Sequence, residues 1–121
     1  MSVFLDLPAE RVLFKTAHFF GVLDGFPVSP GHVLIVSNRL CPDWFALTPE
    51  EQAGLPEAIL LAKSWIEQHH QPAAYNIGMN CGEAAGQTVM HFHCHVIPRY
   101  HNDVPNPRGG VRGVIPGKQS Y

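Results

Sequence analysis

One short segment, residues 91–97, restricts the folds open to this chain more than any other part of it. Its sequence, HFHCHVI, alternates strictly between polar and apolar side chains. Successive side chains of a β-strand point to opposite faces of the sheet, so this period of two predicts a strand with one buried face. We expect the apolar residues to face the core. The three imidazoles are expected to share the open face: His91, His93 and His95.

Further strands are indicated by short runs rich in Val, Leu, Ile and Phe, separated by residues that favour turns. The predicted strands are residues 11–15, 18–23, 32–37, 75–80 and 89–97. The first three come before any helical pattern, and the last two come after it. This order of elements predicts an antiparallel α+β domain.

One long helix is predicted from Thr48 to about residue 70. Thr48, Pro49 and Glu51 supply the N-cap, the N1 proline and the N3 glutamate of a capping box. Pro56 lies inside this segment, and a proline in a helix interior costs about 3 kcal/mol. We therefore expect a kink, or a short first turn followed by a second helix that starts at Pro56.

The length and composition of the chain fit one packed domain. The chain has 121 residues, of which 45% are hydrophobic, and this is enough for one core. We expect a single domain over residues 1–121, in which residues 99–121 form an extended, irregular tail. Charged residues make up only 15% of the chain, against roughly 25% in typical soluble domains, and this favours an oligomer.

The same composition excludes several classes of partner. A net charge of -2 gives no basic surface for nucleic acid, and no apolar run is long enough to cross a bilayer. Three cysteines without a C-x-x-C pair suggest neither a disulfide framework nor a zinc ribbon. We expect a cytoplasmic protein that binds neither nucleic acid nor membrane.

Three imidazoles on one strand face can support two kinds of chemistry. An imidazole nitrogen can attack phosphorus and form a phosphohistidine that water then opens, provided that a donor meets the developing charge. Imidazole is also the commonest protein ligand for zinc. However, the nearest carboxylates are the distant Glu83 and Asp103, and Cys94 is expected to face away. Nucleophilic catalysis is therefore favoured over a metal site, and a His-ligated metallohydrolase is the weaker alternative.

Several segments together resemble the histidine triad (HIT) family. Residues 91–97 match the family pattern His-φ-His-φ-His-φ-φ, where φ is apolar. The resemblance covers roughly residues 23–99. Its other matching features are Asp24, Pro27, residues 30–35 (PGHVLI), Leu47-Thr48-x-x-Glu51, Asn80-x-Gly82 and residues 86–89 (GQTV).

The resemblance implies a fold, an assembly and a reaction. The fold would be a five-stranded antiparallel sheet with one long helix, and two subunits would form a homodimer with a continuous ten-stranded sheet. The reaction would take place at the α-phosphate of a purine nucleotide, either a nucleoside phosphoramidate or a dinucleoside polyphosphate. No cofactor would be required at the nucleophile, although a divalent metal could accompany a polyphosphate substrate. A purine-nucleotide-binding module without catalysis is the alternative function.

The resemblance also assigns roles to individual residues. His93 would be the nucleophile that takes the nucleoside monophosphate, His95 would contact phosphate oxygens, and His91 and His32 would orient the set. Asp24 would bind the ribose hydroxyls, since a carboxylate can accept from two of them. The remaining nucleotide-binding residues would contact phosphate or leaving group, or allow the backbone to approach: Asn80, Gly86, Gln87 and Thr88.

The substrate branch and the tail stay open at this stage. Asp24 and Asn80 look like the phosphoramidase branch, whereas residues 87–89 and 97–99 look more like the dinucleoside polyphosphate hydrolases. The Gly- and Pro-rich tail carries Arg108 and Arg112. One hypothesis is that either arginine reaches a phosphate in the partner subunit's site, because arginine suits bidentate phosphate contact.

Overall fold

The computed structural model describes residues 2–121 and contains one antiparallel sheet and two consecutive helices. The strands are β1 (Val12–Lys15), β2 (Phe19–Leu23), β3 (Val33–Ser37), β4 (Ala74–Gly78) and β5 (His93–Arg99), and the helices are α1 (Pro49–Ala53) and α2 (Leu55–His69). The strand order is β1-β2-β3-β5-β4, and every pair is antiparallel. The prediction of a five-stranded antiparallel sheet with one long helix is confirmed.

The helical region is divided at Gly54, two residues before Pro56. The predicted capping box is present, because Thr48 Oγ1 accepts from the Glu51 amide and Glu51 accepts from the Thr48 amide. Pro56 lies in the first turn of α2, where an amide N–H would have no partner within the helix. The split form of the prediction is therefore correct, with the boundary at Gly54.

The sheet separates two apolar layers. On one face, α2 packs through Ala58, Ala62 and Ile66 against buried residues of β2, β3 and β5. The other face carries Phe20, Val22, Leu34 and Val36, which are covered by the N-terminal residues Phe4 and Leu7 and by Val12. The histidines of β5 lie on this second face, because His95 is paired with Leu34 and His93 with Val36.

The histidine strand differs from its prediction at both ends. The sequence predicts this strand over residues 89–97, but β5 begins at His93 and continues to Arg99. Phe92 donates its amide N–H to the Cys41 carbonyl, at 2.7 Å, so residues 91 and 92 precede the regular strand. The expectation of buried apolar positions is confirmed for Phe92, Cys94 and Val96.

The residues after β5 form turns and one short 3-10 segment, Gly110–Val114. That segment lies against β4. In the part of the chain from residue 2 onwards, neither helix combines the length and apolar character that crossing a bilayer requires. The ten-stranded dimer sheet stays a prediction, for which β4 is an open edge.

Candidate active site

A cavity of about 530 Å³ opens on the sheet face that carries the histidines. Its lining includes six of the residues predicted for the site: Asp24, Asn80, Gly86, Thr88, His93 and His95. Apolar side chains of the N-terminal segment and of β2 and β3 form the rest of the wall. The cavity thus combines an apolar floor with a few polar groups, as small-molecule sites usually do.

His93 has one free ring nitrogen. Its Nδ1 lies 2.7 Å from the His91 carbonyl oxygen, which can only accept a hydrogen bond. Nδ1 must therefore carry the proton, and a neutral ring then has its lone pair on Nε2. The Phe4 ring packs against this imidazole at a centroid distance of 5.1 Å, which further limits its rotation.

His95 has the opposite arrangement, and a chain of hydrogen bonds sets it. The Val28 amide donates to His32 Nδ1 at 3.2 Å, so neutral His32 carries its proton on Nε2. That N–H donates to His95 Nδ1 at 2.9 Å, and neutral His95 consequently carries its own proton on Nε2. The free group of His95 is therefore an N–H donor.

Burial favours the neutral form of both imidazoles, His32 and His95. Burial is the largest influence on His95, and with the nearby His32 and His93 it lowers the pKa to about 4 despite the opposing effect of Asp24. Burial also lowers the pKa of His32, again against Asp24. The contact predicted between His95 and phosphate oxygens thus needs no positive charge, because the hydrogen bond from His32 leaves an N–H on the neutral His95 ring.

Asp24 combines a structural contact with a free oxygen. Its Oδ1 accepts from the Phe26 amide at 2.8 Å and closes the turn after β2. Its Oδ2 lies 3.5 Å from His32 Nε2 and 3.9 Å from His95 Nδ1. The carboxylate also lines the cavity, so one oxygen remains available to a ligand.

His91 does not share the open face with the other two histidines. Its side chain is fully buried, with Nε2 2.7 Å from the Ser37 carbonyl and Nδ1 2.7 Å from Ser2 Oγ. The expectation of three imidazoles on one open face is wrong in this respect, because the N-terminal residues Ser2 and Phe4 cover the His91 ring. His91 contacts the nucleophile through its carbonyl, whereas its ring is held by the two serines.

Gln87 is also placed outside the cavity lining. Its buried amide accepts from the Gly82 N–H at 2.8 Å and donates to the carbonyls of Pro42 and Val89, at 2.6 and 3.0 Å. The side chain therefore braces the loop that carries its neighbours. Gly86 adopts a left-handed φ of 97° in that loop, a conformation that favours glycine.

Several cavity residues were not assigned from the sequence. They are Val3, Phe4, Leu7, Arg11, Val22, Phe26, Leu34 and Val89, together with Leu23 and Gly25. Most are apolar residues whose types are as common in a core as in a pocket. Arg11 alone offers a chemical signal, as a cation at the first residue of the first predicted strand.

One group of residues within 2–121 brings three metal-capable side chains together: Asp24, His32 and His95. A metal ligand must direct a lone pair at the ion, and a ligating histidine normally donates its second N–H to an acceptor. At His32 the Val28 amide donates to Nδ1, so the ring proton is on Nε2, the nitrogen that faces Asp24 and His95. A lone pair for a metal ion is therefore missing on that side. These three side chains therefore suit a chain of hydrogen bonds better than they suit a bound cation.

The two tail arginines pack against the aromatic ring of Tyr121. The guanidinium carbons of Arg108 and Arg112 are 4.8 and 4.7 Å from the centre of the Tyr121 ring. Neither arginine lines the cavity that holds His93. Their hypothesised contact with a partner subunit's phosphate stays a prediction.

Comparison with known proteins identifies the class that the sheet and the histidines define. The HIT domain model matches residues 8–102, and the chain belongs to this family. A Dictyostelium discoideum bis(5'-adenosyl)-triphosphatase is 36% identical over 97 residues, which cover 80% of this chain and 65% of the relative. A Schizosaccharomyces pombe asymmetrical bis(5'-nucleosyl)-tetraphosphatase is 37% identical over 90 residues, or 74% of this chain and 50% of the relative.

A solved structure shows the same similarity in three dimensions. The crystal structure of a HIT family protein from Bacillus anthracis superposes with a TM-score of 0.71 at 35% identity, covering 77% of this chain and 66% of that one. The chain spans at most 65% of the length of the two enzymes above.

Proposed function

We propose that this protein hydrolyses dinucleoside polyphosphates at the α-phosphorus through a covalent nucleotidyl intermediate on His93. The contact between His93 Nδ1 and the His91 carbonyl carries the proposal, because it leaves the Nε2 lone pair free in a cavity. The similarity to a triphosphatase and a tetraphosphatase of dinucleotides supports this substrate class.

The first step exchanges one bond at phosphorus for another. The Nε2 lone pair of His93 attacks the α-phosphorus, an Nε2–P bond forms, and the bond from phosphorus to the bridging oxygen breaks. The electron pair leaves with the second nucleotide, which departs as a phosphate anion. The Nε2–H of His95 donates to a non-bridging oxygen, where charge develops in the transition state.

The second step restores the enzyme. Water attacks the same phosphorus, the P–N bond breaks and its electron pair returns to Nε2, while the water proton passes to solvent. A nucleoside monophosphate is released. Throughout both steps the His91 carbonyl holds His93 Nδ1–H, so the ring cannot turn its protonated nitrogen towards phosphorus.

The cavity provides surroundings for the nucleoside that is transferred. Phe4 and Leu7 supply apolar contacts for the base, and Asp24 Oδ2 accepts from the ribose hydroxyls. Asn80 and Thr88 line the cavity beside the histidines and bind phosphate oxygens. Gln87 acts indirectly, because its amide is engaged in bracing the loop.

Trapping the intermediate tests the proposal. Protein mixed rapidly with diadenosine tetraphosphate and quenched is expected to show an adduct of one adenosine monophosphate on His93 by mass spectrometry. His93→Ala should abolish both adduct and turnover, whereas His101→Ala, a control at an exposed histidine, should leave both unchanged. Turnover that persists in His93→Ala would refute the mechanism.

A substrate panel separates the remaining alternatives. Diadenosine polyphosphates are compared with adenosine 5'-phosphoramidate, in which ammonia is the leaving group. Faster turnover of the phosphoramidate would assign the chain to the other branch. Tight purine-nucleotide binding without turnover would indicate a binding module, and activity that requires added zinc would indicate a metallohydrolase.

A further inference from the structure

A second cavity adjoins the site on the other side of His95. Its volume is about 390 Å³, and it shares only Asn80 and His95 with the first cavity. Its other walls are Asn76, Ile77, Gly78 and Met79 at β4, Ile97 of β5, and Gly110, Val111, Gly113 and Val114 of the tail. His95 and Asn80 therefore lie between two cavities, one beneath the N-terminal segment and one beneath the tail.

We infer that this second cavity binds the leaving nucleotide's nucleoside, so that the tail segment Gly110–Val114 determines preference for dinucleotide substrates. The inference rests on the proposed function. It follows from position, since Asn80 and His95 border both cavities. A substrate whose α-phosphate meets these two residues extends one end into each cavity.

The walls of the second cavity suit a purine base. Val111 and Val114 are apolar and exposed, and burial of such side chains against a ligand is favourable. The tail closes one end of the cavity, where a Cβ added at Gly110 would lie only 3.2 Å from Asn76 Nδ2. A flat ring placed towards Gly78, where a Cβ would meet no atom within 4 Å, can contact these apolar side chains.

Gly78 marks the open part of this cavity. It is paired with His95 in the sheet, and a Cβ added at this position would meet no atom within 4 Å. A larger residue here should fill the second cavity without displacing its neighbours, and β-branched residues are well tolerated in strands. Position 78 thus allows the second cavity to be blocked separately from the first.

The test compares Gly78→Ala and Gly78→Val on two substrates. For diadenosine tetraphosphate, KM should increase with side-chain size and reach roughly tenfold for Gly78→Val, the scale of one or two methyl groups in an apolar pocket. For adenosine 5'-phosphoramidate, whose leaving group is too small to enter the second cavity, kcat/KM should stay within about twofold. Equal effects on both substrates, or none on either, would overturn the inference.

Binding measurements distinguish failure of the inference from failure of the proposed function. A methylene-bridged diadenosine tetraphosphate and adenosine monophosphate are titrated calorimetrically into wild type, Gly78→Val and Val114→Ser. Weaker binding of the dinucleotide alone supports the second cavity even if no variant turns over any substrate. Unchanged dinucleotide affinity in both variants would reject it, whatever the outcome of the adduct experiment.

Discussion

At the scale of single residues, His93 and His95 lie two positions apart and present opposite groups to the cavity. The His91 carbonyl leaves a lone pair on one ring, and the chain from Val28 through His32 leaves an N–H on the other. Nucleophilic attack on a phosphate needs both groups, one to form the bond and one to meet the charge. Neutral rings supply them because the neighbouring backbone fixes each tautomer.

Ser2 is expected to position the nucleophile without touching the substrate. Its hydroxyl accepts from the Phe4 amide at 3.2 Å and donates to His91 Nδ1 at 2.7 Å, while the carbonyl of His91 orients His93. Removing this hydroxyl should let His91 move. We expect kcat to fall roughly tenfold in Ser2→Ala, with little change in KM, since displacements of this kind affect attack geometry.

Two further serine variants serve as controls for this prediction. Ser2→Thr retains the hydroxyl and should recover most of the lost rate. Ser64→Ala removes an exposed hydroxyl on α2 and should leave steady-state kinetics unchanged. A Ser2→Ala enzyme with the wild-type kcat would show that the His91 carbonyl is held in place without this contact.

Gln87 and Thr88 are adjacent, but substituting them should affect different properties, stability in one case and nucleotide binding in the other. Gln87→Ala would leave the Pro42 carbonyl and the Gly82 amide without their buried partner, so we expect the free energy of unfolding in urea to fall by about 2–4 kcal/mol. Thr88 is exposed and lines the cavity. Thr88→Ala should weaken nucleotide binding with no such loss of stability. A stable Gln87→Ala protein with impaired binding would instead favour direct contact with the nucleotide.

At the scale of elements, the division between α1 and α2 shows how a proline can be accommodated inside a helical pattern. Gly54 separates the helices, and Pro56 occupies the first turn of α2. Pro56→Ala should therefore change the free energy of unfolding by less than about 1 kcal/mol, because an amide N–H in the first turn has no partner within the helix.

The same helix provides a matched comparison. Leu60→Pro, at an exposed position in the interior of α2, should cost about 3 kcal/mol or more. Both values come from urea denaturation followed by circular dichroism. A cost at Pro56 as large as that at Leu60 would mean that the first turn of α2 depends on the proline ring.

The elements differ in how far the sequence alone predicts them. The capping box at Thr48 and the alternation around His93 and His95 involve local interactions, and the structure retains both. The burial of His91 depends on Ser2 and Phe4, which are far from it in the sequence. Phe4 and Leu7 were equally ambiguous, because their types suit a core and a pocket alike and only the tertiary fold places them over the cavity.

At the scale of the whole molecule, the two outer strands of the described sheet, β1 and β4, each have a partner strand on one side only. Within residues 2–121, β4 hydrogen-bonds to β5 on one side alone, and Ile77 at this edge is 43% exposed. An open edge with an apolar residue readily accepts another strand. A symmetric pair of β4 strands would join two sheets into one of ten strands, as the family resemblance implies.

We therefore predict a homodimer that Ile77→Lys weakens. Sedimentation equilibrium should give twice the 13.4 kDa of one chain, and a charge placed at the edge should raise the dissociation constant roughly tenfold or more, because charged edge residues oppose strand pairing. Phe45→Lys adds the same charge at an exposed apolar residue before α1 and should leave association unchanged. A wild-type monomer would exclude the ten-stranded sheet. If the dimer were instead equally stable in all three proteins, association would have to use a surface other than β4.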